Sequence, residues 1–129
     1  MLQPAAHALI QANEDVAALA PSVPPDLLWV ERGAATAGFH LLHMAGALDR
    51  LFGYARGEGL SDAQKAVLRA EAVPHPELDG AALAARVADA IERALDQLRA
   101  TDAERVFDDR RVGRAGQGIP WPLTSGRAR

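Results

Sequence analysis

Residues 37–57 read AGFHLLHMAGALDRLFGYARG, and the spacing of their apolar side chains decides the fold. Leu41, Met44, Leu48, Leu51, Phe52 and Ala55 recur at helical intervals and predict the main buried stripe of a helix from about Ala35 to Ala55. Phe39 and Leu42 fall on nearly the opposite side at ~100° per residue. A helix apolar on two sides is enclosed by neighbours, so its N-terminal half should lie deep in the molecule. The same segment carries His40 and His43, three residues apart and therefore on one side. His43 lies further round than His40, beside Ala47, Arg50 and Tyr54. Imidazoles on such a helix are either hydrogen-bonded structural groups or metal ligands.

Outward from this helix the chain repeats the theme. Leu2, Leu9, Val16 and Leu19, with Ala5 and Ala12 between them, form one stripe on a first helix from Gln3 to about Leu19. Pro21, Pro24 and Pro25 end it. Asp26–Gly33 is a connector whose Leu27, Leu28 and Trp29 should lie against the bundle, and Gly57 and Gly59 close the histidine helix. Ser61 with Gln64 three residues later predicts a capping box opening a short helix to about Ala72. Pro74 and Pro76 break that helix, leaving His75 as a solvated loop residue. Asp79 caps a further helix to about Ala100, with Leu83, Val87, Ile91, Leu95 and Leu98 inward and Arg86, Asp89, Glu92, Arg93 and Asp96 outward. Beyond Thr101 the pattern fails, and residues 113–129 hold four glycines and two prolines without a helical period. The reading is an all-α bundle over residues 1–112, with three long helices and one short one, followed by an irregular basic tail over 113–129.

Composition agrees with that class and narrows the chemistry. The 129 residues suffice for one domain with a real core, and the 5% aromatic content with abundant alanine favours packed helices over sheets. The absence of cysteine excludes disulfides, thiolate metal sites and cysteine nucleophiles. No basic stretch precedes the first apolar residues, and no apolar run approaches ~18 residues, so a cytoplasmic protein without a membrane span is expected. All 17 acidic residues lie at or before Asp109, and five of the 14 basic ones follow it. That tail offers only Trp121 among its arginines, without regular spacing, so no nucleic-acid partner is expected. Thirteen of the basic residues are arginine, as a GC-rich genome would give. GRAGQG at 113–118 has neither a preceding strand nor a following helix, so it is no phosphate-binding loop. His7 on the first helix could converge on His40 and His43, while Asp49 and Glu31, the acids nearest in sequence, read as surface or ion-paired groups.

Three blocks resemble one branch of the DinB-like (YfiT-like) superfamily of four-helix bundles. They are GFHLLHMAGALDRLFGYARGEGLSDAQ (38–64), IERALDQLRATDA (91–103) and VGRAG (112–116). The resemblance spans roughly residues 25–116 and is most specific over 38–64. It implies an up-and-down bundle, commonly dimeric, that often binds a divalent metal (Zn, Ni or Mn) through three histidines, some branches being thiol-dependent transferases or isomerases. His43 matches the ligand on the second helix, and His40 matches a frequent histidine that is not usually the principal ligand. The other two ligands come in the family as H-x-x-x-H on a last helix after the VGR-type loop. This chain has no histidine after His75 and ends PWPLTSGRAR (120–129), as out-of-frame GC-rich coding would. Two functions follow as alternatives: a metal-binding protein whose site includes His43 and His40, or a non-catalytic dimeric bundle that has lost the metal site. A core without its last helix leaves an apolar groove that Ile119, Trp121 and Leu123 are too few to cover, so a symmetric homodimer is expected. Such a dimer could bring together two copies of His40 and His43.

Overall fold

The computed structural model describes residues 3–31 and 33–107, with side chains through Ala103. Among these residues there are five α-helices and no strand: α1 (Gln3–Leu19), the single-turn α2 (Pro25–Leu28), α3 (Ala37–Ala55), α4 (Asp62–Ala70) and α5 (Gly80–Phe107), with a 3-10 turn at Ala20–Ser22. The all-α expectation holds. No helix among the described residues is long and apolar enough to cross a membrane.

The long helix α5 supplies the central wall. Its start is fixed by Asp79, whose carboxylate Oδ1 accepts from the Ala82 backbone N–H at 2.8 Å. Leu83, Val87 and Ile91 are almost wholly buried, Leu95 nearly so, and Ala90 and Ala94 close the same face. The outward Asp89 and Arg93, and Asp96 and Arg99, pair across exposed turns. The helix runs on to Phe107 although the apolar repeat stops near Thr101. A helix already nucleated adds a backbone bond per residue without needing an apolar face, and TDAERVF contains neither glycine nor proline. The expected end near Ala100 is thus corrected.

Against α5, α1 packs Ala6, Leu9, Ala12 and Val16, while α3 packs Leu41, Met44, Ala45 and Leu48. Leu28, Leu42 and Leu83 close a second cluster at the start of α5, joined by Val23, Trp29 and Leu78. Leu42 lies by Leu83 near the start of both helices, and Gln97 Nε2 donates to the Phe52 carbonyl at 3.0 Å further along, so α3 and α5 run parallel, with α5 continuing past the end of α3. The end of α1 meets the start of α5, with the Ala20 carbonyl against Gly80; these two are antiparallel. Helix α4 runs back along α3, with Gln64 bonded to Asp49 near its start and Glu71 beside His43 just past its end. The four longer helices thus alternate in direction along the chain.

Several expected positions differ. Leu19 and Leu51 are 66% and 60% exposed, and Ala5, Leu27 and Ala55 are also exposed. Periodicity marks one angular stripe, but a helix is covered only where a neighbour exists, and among the described residues α3 has none over Leu51. The buried side of α3 is instead Gly38, Leu42, Gly46, Arg50 and Gly53. His75 lies in the loop as expected but is only 24% exposed: its Nε2 lies 2.8 Å from the Ala70 carbonyl, its Nδ1 3.4 Å from Glu77, and its ring meets Trp29 edge-on at 5.9 Å. The proposed division at residue 112, the VGRAG loop and the tail residues Ile119, Trp121 and Leu123 lie outside the described residues.

Candidate functional site: the His43–Glu71–Arg50 cluster

The site is assembled at the junction of α3 and α4. Thr36 caps α3, its Oγ1 accepting from the Phe39 N–H at 3.0 Å, which fixes the turn from which His40 and His43 project. Gly57, at φ +84°, then reverses the chain, a backbone state that side chains disfavour. Ser61 and Gln64 form the expected reciprocal capping box and start α4. From that start α4 is just long enough to bring Glu71, at its C-terminal cap, back to the middle of α3.

Glu71 is 3% exposed. Its Oε2 accepts from Arg50 Nη1 at 2.8 Å, and its Oε1 takes a longer 3.3 Å contact from Nη2. The same Oε1 lies 2.9 Å from His43 Nδ1. Arg50 is itself buried, with 10% of its side chain exposed, whereas 48% of the His43 side chain faces solvent. Gly46 makes the approach possible: a Cβ there would lie 2.0 Å from Glu71 Oε2. Burial alone would raise the Glu71 carboxyl, but hydrogen bonds from Arg50 and then His43 outweigh it and hold the group below the ordinary glutamate value. The Phe39 ring stacks on the His43 imidazole, 5.3 Å between centroids and 10° between planes, and meets His40 edge-on at 5.5 Å.

Of the expected site residues, His43 stands in a built environment, and His40 is an exposed neighbour one turn away. His7 is exposed on α1, which packs on α5 and the 3-10 turn, so it does not converge. Asp49 accepts from Gln64 Nε2 at 2.9 Å, and Glu31 is exposed. Sequence reasoning placed Arg50 beside His43 but missed Glu71. A signal existed: an acid at a helix C-terminus opposes the helix dipole, and such a residue needs a compensating cation.

An oriented imidazole is one part of a metal centre. A divalent ion wants three or four donors, and no group of three or more His, Cys, Asp or Glu is placed to hold one among the described residues. Glu71 is already engaged by Arg50 and His43. Elsewhere, a cleft of about 140 Å³ between α3 and α5 is floored by Leu48, Phe52, Ala90 and Ala94. Arg56 on its rim is bonded to Glu58 and Gln97, and Arg93 to Asp89, so its cations are spoken for. In comparisons with known proteins, no family model, no curated protein and no solved structure matches this chain.

Proposed function

We propose that this chain is a divalent-metal-binding helical bundle related to the DinB-like superfamily, acting in the cytoplasm as a homodimer, with His43 as the anchoring ligand and His40 beside it. The observation that carries this reading is a half-exposed imidazole whose inner nitrogen rests on a buried, charge-paired carboxylate. Ligating histidines are commonly oriented in this way. Zn, Ni or Mn would suit the resemblance, and such an ion, when bound, supplies Lewis-acid activation of a small thiol-bearing substrate. The chain's own part is to hold the His43 ring, stacked on Phe39 and tethered by Glu71, in a side chain that is 48% exposed. One chain offers two imidazoles here, and a second copy would raise the number to four.

A second reading, a dimeric bundle that binds partners but catalyses nothing, is favoured by the lack of a third donor among the described residues. Metal analysis of tag-free protein, compared with His43→Ala, separates the two. The first reading expects about one ion per two chains, lost on substitution. Negligible metal in both proteins leaves the second.

A further inference from the structure

We infer that Glu71 is a positioning residue for His43, fixing the imidazole as its Nδ1–H tautomer and thereby presenting the Nε2 lone pair at the surface. The inference rests on reading His43 as the working imidazole, and it starts from donor and acceptor chemistry. An ionised carboxylate can only accept hydrogen bonds. Glu71 Oε1 lies 2.9 Å from His43 Nδ1, so the hydrogen between them belongs to the ring. In the neutral imidazole a hydrogen on Nδ1 leaves Nε2 bare. Nε2 is then an unprotonated lone pair on a side chain that is 48% exposed, able to coordinate a borderline cation or accept a proton.

Three features make this more than a chance contact. The Arg50 guanidinium sits on Glu71 through its closer Nη1 bond and neutralises the buried charge, which keeps the carboxylate an acceptor. Gly46 leaves open the volume that Oε2 occupies; a Cβ there would lie 2.0 Å from it, so the carboxylate would have to shift from its present place. Phe39 stacks on the ring and restricts its rotation about χ2. A carboxylate serving only to tie α4 to α3 through Arg50 would need none of the contact to His43.

The test is nitrogen-15 correlation spectroscopy of the histidine side chains in metal-free full-length protein, at a pH well above the ordinary imidazole range of ~6.5. In the wild-type protein the His43 signal should show the hydrogen on Nδ1, whereas His40, exposed and without a carboxylate contact among the described residues, serves as the reference. Glu71→Ala, which removes the acceptor, should move His43 toward the His40 pattern. Gly46→Ala should do the same with the Glu71 charge retained, which separates position from charge. Zinc titrated into Glu71→Gln should bind about 10- to 100-fold more weakly than into the wild-type protein. A wild-type His43 with its hydrogen on Nε2 overturns the inference, and needs no variant to fold. So does a folded Glu71→Ala protein, which has no side-chain acceptor at this position, whose His43 keeps the Nδ1–H pattern. Because tautomers are read without metal, failure to bind zinc sinks the metal-binding reading and leaves the positioning role to stand or fall separately.

Discussion

At Gly46 the missing side chain is what the site is built around. Alanine is the better helix former by about 1 kcal/mol, so on propensity alone Gly46→Ala should stabilise α3. With a Cβ 2.0 Å from Glu71 Oε2, the opposite is expected: the buried carboxylate must shift against Arg50 and His43, and a net loss of stability should appear in urea unfolding. Arg50→Ala strands a buried carboxylate and should cost about 3–5 kcal/mol. The acid limb of stability follows from the direction of the Glu71 shift. The groups facing this carboxyl are the Arg50 guanidinium and the His43 imidazole, both on α3. Its folded value lies below that of the unfolded chain, so the folded state binds the proton more weakly. The contribution is therefore fully present above the ordinary glutamate range of ~4.3 and fades as pH falls through the lower folded value. Unfolding free energies measured from about pH 7 downward should lose this step in Glu71→Gln; an identical acid limb in both proteins contradicts it.

At the scale of helices, the elements whose neighbours are implied by their own pattern were legible, and the others were not. The inward row Leu83, Val87, Ile91 and Leu95 of α5 is flanked on two sides, so one stripe sufficed to name it. The caps at Ser61 and Asp79 were readable because both bonds are local. On α3 the stripe through Leu41, Met44 and Leu48 was correct for the contact with α5 and failed at Leu51 and Ala55. Its second buried face runs through Gly38, Gly46 and Gly53, residues that hydrophobic periodicity scores as nothing. Their common register is the clue: glycines on one side of a helix mark where another group must come close. At Gly38 that group is the Trp29 ring, which a Cβ would meet at 2.4 Å. The site was half legible for the same reason. His43 and Arg50 share one helix and could be related by angle, whereas Glu71 reaches them only through the turn and the length of α4. If the capping box sets that register, Ser61→Ala should lower stability by about 1 kcal/mol, and His43 should show a partial tautomer change of the Glu71→Ala kind. Loss of stability with an unmoved His43 would make the cap an ordinary local contributor.

For the whole molecule, the third side of α3, where Leu51 and Tyr54 are exposed, sets the expectation. Around α3, one sector with Leu41, Met44 and Leu48 meets α5, and another with Gly46 and Arg50 meets Glu71 at the end of α4. The sector between holds His40, His43, Ala47, Leu51 and Tyr54, with Leu51 60% and Tyr54 51% exposed. Beside it, α4 has no buried residue, and Val67 and Leu68 are 49% and 42% exposed. Each Leu- or Val-sized side chain left in water forgoes roughly 1.5–3 kcal/mol, so several together rival the ~5–15 kcal/mol stability of a domain. A two-fold contact sets every residue of a seam against the same seam. This one carries no Asp, Glu, Lys or Arg, so self-pairing opposes no like charges. The expected outcome is a particle of about twice 13.7 kDa by light scattering, shifted toward monomer by Leu51→Glu, which would bury a charge in the contact. The direction of pairing can be read from zinc. Parallel α3 helices would align His43 with its counterpart, so zinc would tighten the dimer and His43→Ala would abolish the effect. Antiparallel helices crossing at Ala47 would set His43 against Leu51 of the other copy, and zinc would leave the association unchanged. A well-folded monomer at high micromolar concentration, with or without zinc, would show that the seam is not an interface between copies.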